Sequence, residues 1–186
     1  MISAPFPQDE SLRLLALQRC QLLDTTPETF FDGIVRLAAA HFAVPIALVS
    51  LVDTDRQWFK AKHGLDAVAS CRDHAFCAHA ILQDDILEIP DAREDERFHD
   101  NPFVTDAPHI RFYAGCPLTD ENGYRLGTLC LIDAQPRTLS DDQRTALRLM
   151  AQLVSDHIQI RDLLNTFVGE PATPPNPSPF PLPIEG

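Results

Sequence analysis

The stretch that decides the fold runs from Ile110 to Gln143 and reads IRFYAGCPLTDENGYRLGTLCLIDAQPRTLSDDQ. Two strand-like apolar runs flank Asn122-Gly123, and this pair between such runs predicts a β-hairpin with a two-residue type I′ turn. Ser140 followed by Gln143 forms a capping box, which predicts that a helix begins at this point. We therefore expect a hairpin that leads into a helix, and the stretch contains no recognisable catalytic motif.

Upstream of the hairpin, the hydrophobic pattern predicts two helices, two strands, a short helix and a short strand. These elements span, in order, residues 9–23, 26–42, 46–52, 56–63, 73–82 and 86–89. Gly64 to Cys71 is predicted to be a loop, and Asp91 to His109 a long polar loop with at most one helical turn. Adjacent strands flanked by helices predict an α+β fold around an antiparallel sheet.

The three long helices carry apolar stripes that indicate which face each one buries. The first stripe is Leu12, Leu15, Ala16, Arg19 and Leu23, with Leu14 and Leu17 as a second patch, and the second is Phe30, Ile34, Leu37, Ala38 and His41. The final helix, predicted from Asp141 to about Phe167, has two stripes. One is Leu147, Met150, Ala151, Val154 and Ile158, and the other is Ala146, Leu149, Leu153, Ile160, Leu164 and Phe167. A sheet covers only one of these two stripes, so we expect the other to meet the first helix or a second copy of the chain.

The composition excludes several classes of partner. With 186 residues, a net charge of −12 and 45% hydrophobic residues, the chain fits one acidic domain with a substantial core. The acidity argues against nucleic acid and anionic membrane surfaces, and no apolar run approaches the roughly 20 residues that span a bilayer. The N-terminal segment does not resemble a secretion signal. Five irregularly spaced cysteines favour reduced thiols in the cytoplasm.

The C-terminal segment differs in composition from the rest of the chain. From Gly169 it reads GEPATPPNPSPFPLPIEG and contains seven prolines, which are incompatible with a helix or an internal strand. We therefore expect residues 168–186 to be a disordered, solvated tail, although such a segment can also dock on an aromatic groove.

Five blocks of sequence, taken in order, resemble a GAF domain of the type found as input module in bacterial sensor histidine kinases and diguanylate cyclases. The blocks are PIALVSLVDTDRQWFKAKHGL, HAFCAHAIL, IPDAREDERFHDNPFV, IRFYAGCPL with RLGTLCLID, and LSDDQRTALRLMAQLV. The resemblance places a GAF domain at residues 9–167, between an N-terminal extension of residues 1–8 and the tail. It implies a central antiparallel sheet of five or six strands, with the terminal helices on one face. On the other face it implies a ligand pocket under a loop and a short helix.

The resemblance and the long loop together indicate where a ligand would bind. The predicted ligand-binding residues are Phe76, His79, Asp91, Phe98, Asn101, Arg111 and Tyr113. Structural roles stay open for Asp91, Phe98 and Asn101, as a cap, a core anchor and the start of a turn. Arg111 could instead pair with an acid such as Asp91. Strand alternation sends Arg111 and Tyr113 to one face of the sheet and Phe112 to the other.

The sequence predicts no catalytic residue and no metal site. Cys77 and His79 lie about 200° apart on a helix and cannot hold one ion together, so Cys77 is expected to be a small buried apolar residue. Bilin attachment, haem ligation and cyclic-nucleotide binding lack their sequence patterns, and the cofactor stays undetermined. A two-residue hairpin loop pairs Cys116 with position 129, so Cys116 and Cys130 should point to opposite faces of the sheet.

The expected function is a stand-alone GAF sensory domain in signal transduction. It would bind a small molecule or a protein partner, form a homodimer, and signal in trans through its terminal helices. Two alternatives stay open. One is a thiol-dependent reductase of the free methionine sulfoxide type that uses Cys71 and Cys77, and the other is a dimerisation module without a ligand. The sequence favours a regulatory role over an enzymatic one.

Overall fold

Six strands form one antiparallel sheet in a computed structural model that describes residues 1–168. The strands are β1 (Ile46–Val52), β2 (Arg56–His63), β3 (Ala69–Cys71), β4 (Leu87–Ile89), β5 (Phe112–Thr119) and β6 (Arg125–Asp133). Their order across the sheet is β3-β2-β1-β6-β5-β4, and all neighbouring strands are antiparallel. The predicted α+β fold with an antiparallel sheet of five or six strands is confirmed.

Within the described residues, five α-helices cover the two faces of this sheet. They are α1 (Glu10–Arg19), α2 (Thr29–Phe42), α3 (Phe76–Ala80), α4 (Pro102–Thr105) and α5 (Asp141–Val168). Helices α1, α2 and α5 share one hydrophobic cluster with one face of the sheet. The other face shares a second cluster with α3 and the loop that contains α4. The terminal helices and the loop therefore lie on opposite faces, as predicted. Apart from Val168, the predicted disordered tail lies outside the described residues.

The β5–β6 hairpin closes with a different turn from the predicted one. Gly123 has a φ of +84°, but Asn122 lacks the positive φ that a type I′ turn needs at both positions. The Asp120 carboxylate instead accepts hydrogen bonds from the N–H groups of Asn122 and Tyr124, at 3.0 and 2.8 Å. This side chain stabilises a longer turn, which produces a register shift next to Thr119.

The predicted pairing within the hairpin is nevertheless confirmed. Cys116 lies opposite Leu129, since the register shift occurs nearer the turn. Cys116 belongs to the hydrophobic cluster under the terminal helices, whereas Cys130 belongs to the cluster on the opposite face. The two cysteines therefore point to opposite faces of the sheet, as expected.

Of the first stripe predicted for α1, only Ala16 is buried, so most of that prediction is wrong. Arg13 is 1% exposed, whereas Leu12 and Leu15 are 52% and 60% exposed. The Arg13 guanidinium donates to the Val52 carbonyl at 2.7 Å and to both carboxylate oxygens of Glu10. These charge-assisted hydrogen bonds turn Arg13 inward, and the hydrophobic pattern of the helix gives no sign of them.

The predictions for α2 are wrong at its start and on part of its face. Its buried residues are Phe31, Ile34, Val35, Ala38, Ala39 and Phe42, whereas Leu37 and His41 are exposed. The helix begins at Thr29 rather than after Thr26. One cause is the buried Lys60, whose ammonium group donates to the Thr26 carbonyl at 2.9 Å and so engages the backbone before the helix starts.

Helix α5 agrees with its prediction. Ser140 Oγ accepts from the Gln143 N–H at 3.2 Å, and Gln143 Oε1 accepts from the Ser140 N–H at 2.9 Å, which completes the capping box. One predicted stripe is buried against the sheet, with Leu147, Ala151, Val154 and Ile158 at its centre. In the other stripe, Leu149, Leu153, Ile160 and Leu164 are each 53–62% exposed, whereas Ala146 packs partly against the core. The side chain of Phe167 lies outside the described residues.

Three short features depart from the predicted elements. Strand β3 lies in the predicted loop 64–71, and α4 lies in the predicted loop 91–109. The helix predicted over 73–82 is a 3-10 turn at 72–74 followed by the five-residue α3. Each feature is too short for the residue pattern to show a period. None of the described helices is long and apolar enough to cross a lipid bilayer.

Candidate functional site

A cavity of about 120 Å³ lies between the sheet and the layer that contains α3 and α4. Apolar side chains from the strands and both short helices line it, among them Leu48, Phe59, Phe103 and Ile132. None of the described residues that line it is an Asp, Glu, Lys, Arg or His. Apolar protein cavities of roughly 150 Å³ bind molecules of the size of benzene. The cavity therefore fits a small and mainly apolar molecule.

Two polar side chains interrupt this apolar wall. Gln57 and Ser70 are direct cross-strand partners between β2 and β3, and both line the cavity. Gln57 Oε1 and Ser70 Oγ are buried and have no hydrogen-bond partner among the described residues. A buried polar atom without a partner costs roughly 1–3 kcal/mol. A ligand N–H or O–H group placed beside these two atoms would remove that cost.

Four of the predicted ligand-binding residues come together in one aromatic cluster. The rings of Phe76 and Phe98 are stacked, with centroids 4.0 Å apart and planes 8° apart. Tyr113 contacts Phe76 on the cavity side, with a centroid distance of 5.2 Å. His79 meets Phe98 edge-on at 4.9 Å. Phe76 and Tyr113 line the cavity, whereas Phe98 and His79 are not part of its lining.

His79 is a neutral donor in this cluster. Its Nε2 lies 2.9 Å from the Ile2 carbonyl, which can only accept, so Nε2 carries the proton. Burial lowers the pKa of His79 below its usual 6.5. The hydrogen bond attaches the N-terminal segment to the outer side of the aromatic cluster.

Two hydroxyl groups and a second thiol surround the sulfur of Cys77, which lines the cavity. Cys77 Sγ lies 3.1 Å from the Thr128 hydroxyl, 3.3 Å from the Tyr113 hydroxyl and 3.8 Å from Cys130 Sγ. Burial raises the pKa of Cys77, but hydrogen bonds from Cys130, Thr128 and Tyr113 together outweigh burial and lower it to about 7. The hydrogen bond to Cys77 raises the pKa of Cys130 well above its usual value.

Asn101 joins two parts of the cavity roof. Its side-chain oxygen accepts from the Phe103 N–H at 2.9 Å and caps α4, while Nδ2 donates to the His74 carbonyl at 3.0 Å. The residue is 1% exposed. Its contacts therefore connect α4 to the 3-10 turn before α3.

Arg111 and Asp91 stabilise the loop that borders α4. The Arg111 guanidinium donates to the carbonyls of Val104 and Ile110, at 2.9 and 3.0 Å. Asp91 pairs with Arg93 at 2.6 Å, and this hydrogen bond lowers the pKa of the Asp91 carboxyl group. The predicted alternation is confirmed for Phe112 and Tyr113, which lie in the cluster under the helices and the cluster around the cavity respectively, whereas Arg111 lies before β5 begins.

Comparison with known protein families identifies the domain. The sequence model of the GAF domain matches residues 26–158. The chain belongs to the GAF domain family. The matched range includes every residue that lines the cavity of this GAF domain.

One relative and two solved structures extend the comparison. This GAF domain chain is 41% identical over 172 residues to a cyclic di-GMP phosphodiesterase of Pseudomonas aeruginosa. The match covers 92% of this chain and 29% of that protein, so the chain corresponds to a minor part of it. The GAF domain of an Acinetobacter phosphoenolpyruvate-protein phosphotransferase aligns with a TM-score of 0.60 and 18% identity, over 86% of this chain and 97% of that one.

The second solved structure is an enzyme with the same fold. It is the free methionine-R-sulfoxide reductase of Neisseria meningitidis, with a TM-score of 0.60 and 13% identity over 88% of this chain and 99% of that one. Identities this low show a shared fold alone.

Sequence reasoning missed three residues that this GAF domain places at its cavity or beside Cys77: Gln57, Ser70 and Cys130. Alternation along β2 puts Gln57 on the same face as Phe59. The sequence gives no sign that Gln57 is buried, because it is a polar residue in a strand with several other polar residues. The hairpin register places Cys116 and Cys130 on opposite faces of the sheet but does not show which of them faces the cavity, so it does not reveal the proximity of Cys130 to Cys77. Within residues 1–168, no group of three or more His, Cys, Asp or Glu residues is arranged to hold a metal ion.

Proposed function

We propose that this GAF domain is the sensory part of a signalling system and that its cavity binds a small, uncharged and mainly apolar molecule with one hydrogen-bond donor. The supporting observation is a cavity wall without Asp, Glu, Lys, Arg or His that contains the unpaired Gln57 Oε1 and Ser70 Oγ. Indole and phenol have this size and chemistry. A cyclic nucleotide would place its phosphate against a wall without a cation, which is unfavourable because an unpaired buried charge is costly.

The strands β5 and β6 offer a route from the cavity to the terminal helices. Alternate residues of β5 and β6 face the two sides, so Tyr113 and Ile132 contact the cavity while Leu129 and Leu131 pack under the helices. A ligand that favours one arrangement of Tyr113 would bias how these strands support α5. The proposed signal is therefore a shift between two packings of one sheet.

We propose that the exposed stripe of α5 forms a homodimer. Leu149, Leu153, Ile160 and Leu163 are each 53–62% exposed. Successive members are four, seven and three residues apart, which keeps them on one side of the helix. This spacing matches a heptad pattern in which Asp156 occupies the core position between Leu153 and Ile160. Two parallel copies of α5 would bury this stripe and carry a change of packing towards the C-terminal end.

We further propose that the domain works in the cytoplasm and passes its signal to a partner protein. Its five cysteines are all free thiols, which suits a reducing compartment. The name of the Pseudomonas aeruginosa relative makes cyclic di-GMP turnover the first output to examine. The ligand-binding contributions of Asp91, Phe98, Asn101 and Arg111 would then be indirect, through the shape of the loop.

A thiol-dependent reductase is the second candidate function. The observation that favours it is the lowered pKa of Cys77, a residue that lines the cavity. Cys71 lies at the end of β3 and is exposed. Turnover of free methionine sulfoxide by the unmodified protein, lost in Cys71→Ser or Cys77→Ser, would support this enzyme; an inactive unmodified protein would remove it.

Binding of probe molecules tests the proposed ligand class. Indole, toluene and cyclic GMP are compared by thermal denaturation and calorimetry, since a ligand at 100 times its Kd adds about 2.7 kcal/mol. We expect indole to bind more tightly than toluene, because one hydrogen bond contributes roughly 0.5–1.5 kcal/mol. Gln57→Leu should reduce this difference, because only Ser70 Oγ then remains to accept a hydrogen bond, while the exposed Gln83→Leu serves as the matched control. Stabilisation by cyclic GMP and by neither uncharged probe would contradict the proposal.

A further inference from the structure

Two hydroxyl groups donate hydrogen bonds to the sulfur of Cys77, and a second thiol lies against it. The hydroxyl groups of Thr128 and Tyr113 lie 3.1 and 3.3 Å away, and Cys130 Sγ lies 3.8 Å away. A cysteine that only fills space needs no such set, since a neutral thiol is a weak acceptor. The arrangement is instead suited to a thiolate, which accepts hydrogen bonds strongly. Because Cys77 also lines the cavity, a small molecule that enters it can reach this sulfur.

We propose that Cys77 is the reactive thiol of a hydroperoxide-sensitive site and that Cys130 converts its oxidised form into an intramolecular disulfide. In the first step, the Cys77 thiolate attacks the terminal oxygen of a hydroperoxide. An S–O bond forms at the Cys77 sulfur, and the O–O bond of the peroxide breaks. Sulfur is oxidised to sulfenic acid, and the peroxide is reduced to an alcohol, or to water when it is hydrogen peroxide. The leaving oxygen takes a proton from solvent.

In the second step, Cys130 Sγ attacks the Cys77 sulfur. The S–S bond forms, the S–O bond breaks, and the hydroxide leaves as water with the Cys130 proton. The net reaction consumes two thiols and one hydroperoxide and yields one disulfide, one alcohol and one water. A cellular thiol reductant reverses it by thiol–disulfide exchange.

The fold favours this pair over the other cysteines. The two sulfurs are in contact, and a disulfide requires them to approach to about 2.05 Å. Cys130 lies in the inner strand β6, whereas Cys77 lies on the five-residue helix α3, so the proposal requires α3, rather than the sheet, to shift when the disulfide forms. Burial raises the pKa of Cys20 to about 12 and that of Cys116 to about 11, which keeps both as neutral thiols.

Peptide mapping after peroxide treatment tests the proposal on the full chain. The five cysteines fall in five different tryptic peptides, with Cys77 in 73–93, Cys130 in 126–137 and Cys116 in 112–125. After hydrogen peroxide, we expect a cross-link between peptides 73–93 and 126–137 that dithiothreitol removes. Cys77 should be oxidised on the order of 100-fold faster than Cys116, because its larger thiolate fraction outweighs the lower nucleophilicity of a less basic thiolate.

Variants separate the two roles. In Cys130→Ala, peptide 73–93 should gain oxygen instead of forming the cross-link, and Thr128→Val, which removes one donor to Cys77, should slow the oxidation. Cys116→Ser is the matched control and should leave both the cross-link and its rate unchanged. Oxidation confined to the exposed Cys71, or a Cys77 rate equal to that of Cys116, would overturn the proposal. Neither outcome depends on whether the cavity binds indole, so the two proposals fail independently.

Discussion

The ring of Tyr113 lies over Gly115 on the cavity face of β5, so that a Cβ built at position 115 would lie 2.6 Å from Tyr113 Cζ and overlap the hydroxyl group. These two residues are next-but-one neighbours on a strand and therefore share a face. Gly115 leaves the space that lets the Tyr113 hydroxyl reach Cys77 Sγ at 3.3 Å. The absence of one side chain thus sets the position of a hydrogen-bond donor at the cavity.

Gly115→Ala should displace Tyr113 and destabilise the domain. A displaced ring would lose its hydrogen bond to Cys77 and its packing on Phe76, and overpacking of this kind costs roughly 1–3 kcal/mol. Chemical denaturation measures this loss. The matched control is Gly33→Ala in α2, where an added Cβ meets nothing within 4 Å and should raise stability by about 0.5–1 kcal/mol. Equal stability of Gly115→Ala and the unmodified protein would contradict the proposed role of Gly115.

The long elements of the fold could be predicted from sequence because their patterns repeat over many residues. Strand β2 begins and ends at the predicted residues, and the capping box at Ser140 marks the start of α5. The rotation of α1 could not be predicted, because a buried arginine, Arg13, sets it through hydrogen bonds to distant backbone. Burial of an arginine depends on partners that only the folded chain supplies.

The candidate site was only partly predictable for a related reason. The aromatic residues around Phe76 are recognisable as a group because their size and apolar character favour burial. Gln57 and Cys130 carry no such local sign, and their importance comes from what lies opposite them, Ser70 and Cys77. Residues that matter through a contact across the fold escape analysis of one stretch at a time.

Glu10→Gln should lower stability in a pH-dependent way. Glu10 accepts from the guanidinium groups of Arg13 and Arg72, which are 1% and 4% exposed. Removing the charge leaves two buried cations without their anion, an effect of roughly 3–5 kcal/mol when a buried pair is broken. Chemical denaturation near neutral pH measures the loss. The exposed Glu96→Gln is the control and should change stability by less than about 0.5 kcal/mol.

The pH dependence of that difference follows from the pKa of Glu10. Burial raises it, but hydrogen bonds and charge from Arg13 and Arg72 together lower it below its usual 4.5. A carboxyl group with a lowered pKa in the folded state contributes its stability above the unfolded value and loses it as pH falls through the folded value. The difference in free energy of unfolding between the unmodified protein and Glu10→Gln should therefore be constant above about pH 4.5 and become smaller below it. A difference in free energy of unfolding that increases as the pH falls would contradict a lowered pKa of Glu10 in the folded state.

Asn101→Ala should loosen the cavity roof more than Asn101→Ser. Serine keeps a cap for α4 but does not reach the His74 carbonyl, whereas alanine removes both contacts. The lost cap costs about 1 kcal/mol, and the unpaired carbonyl roughly 1–3 kcal/mol more. Hydrogen exchange over residues 91–109 and denaturation together measure the two effects. Equal exchange in both variants would show that the cap at Asn101 does not stabilise the loop.

Leu153→Glu should convert the proposed homodimer to a monomer. Leu153 is 53% exposed at the centre of the free stripe of α5, and a carboxylate there would face its own copy across a parallel two-fold interface. Sedimentation of the unmodified protein at increasing concentration should show dimers, and the variant should remain monomeric with an unchanged unfolding midpoint at low concentration. Val68→Glu is the matched control, since Val68 is 65% exposed on the segment before β3 and should leave the dimer intact. If the unmodified protein were monomeric at every concentration, α5 would not be sufficient to form a homodimer. The cavity would then have to signal through a surface other than the exposed stripe of α5.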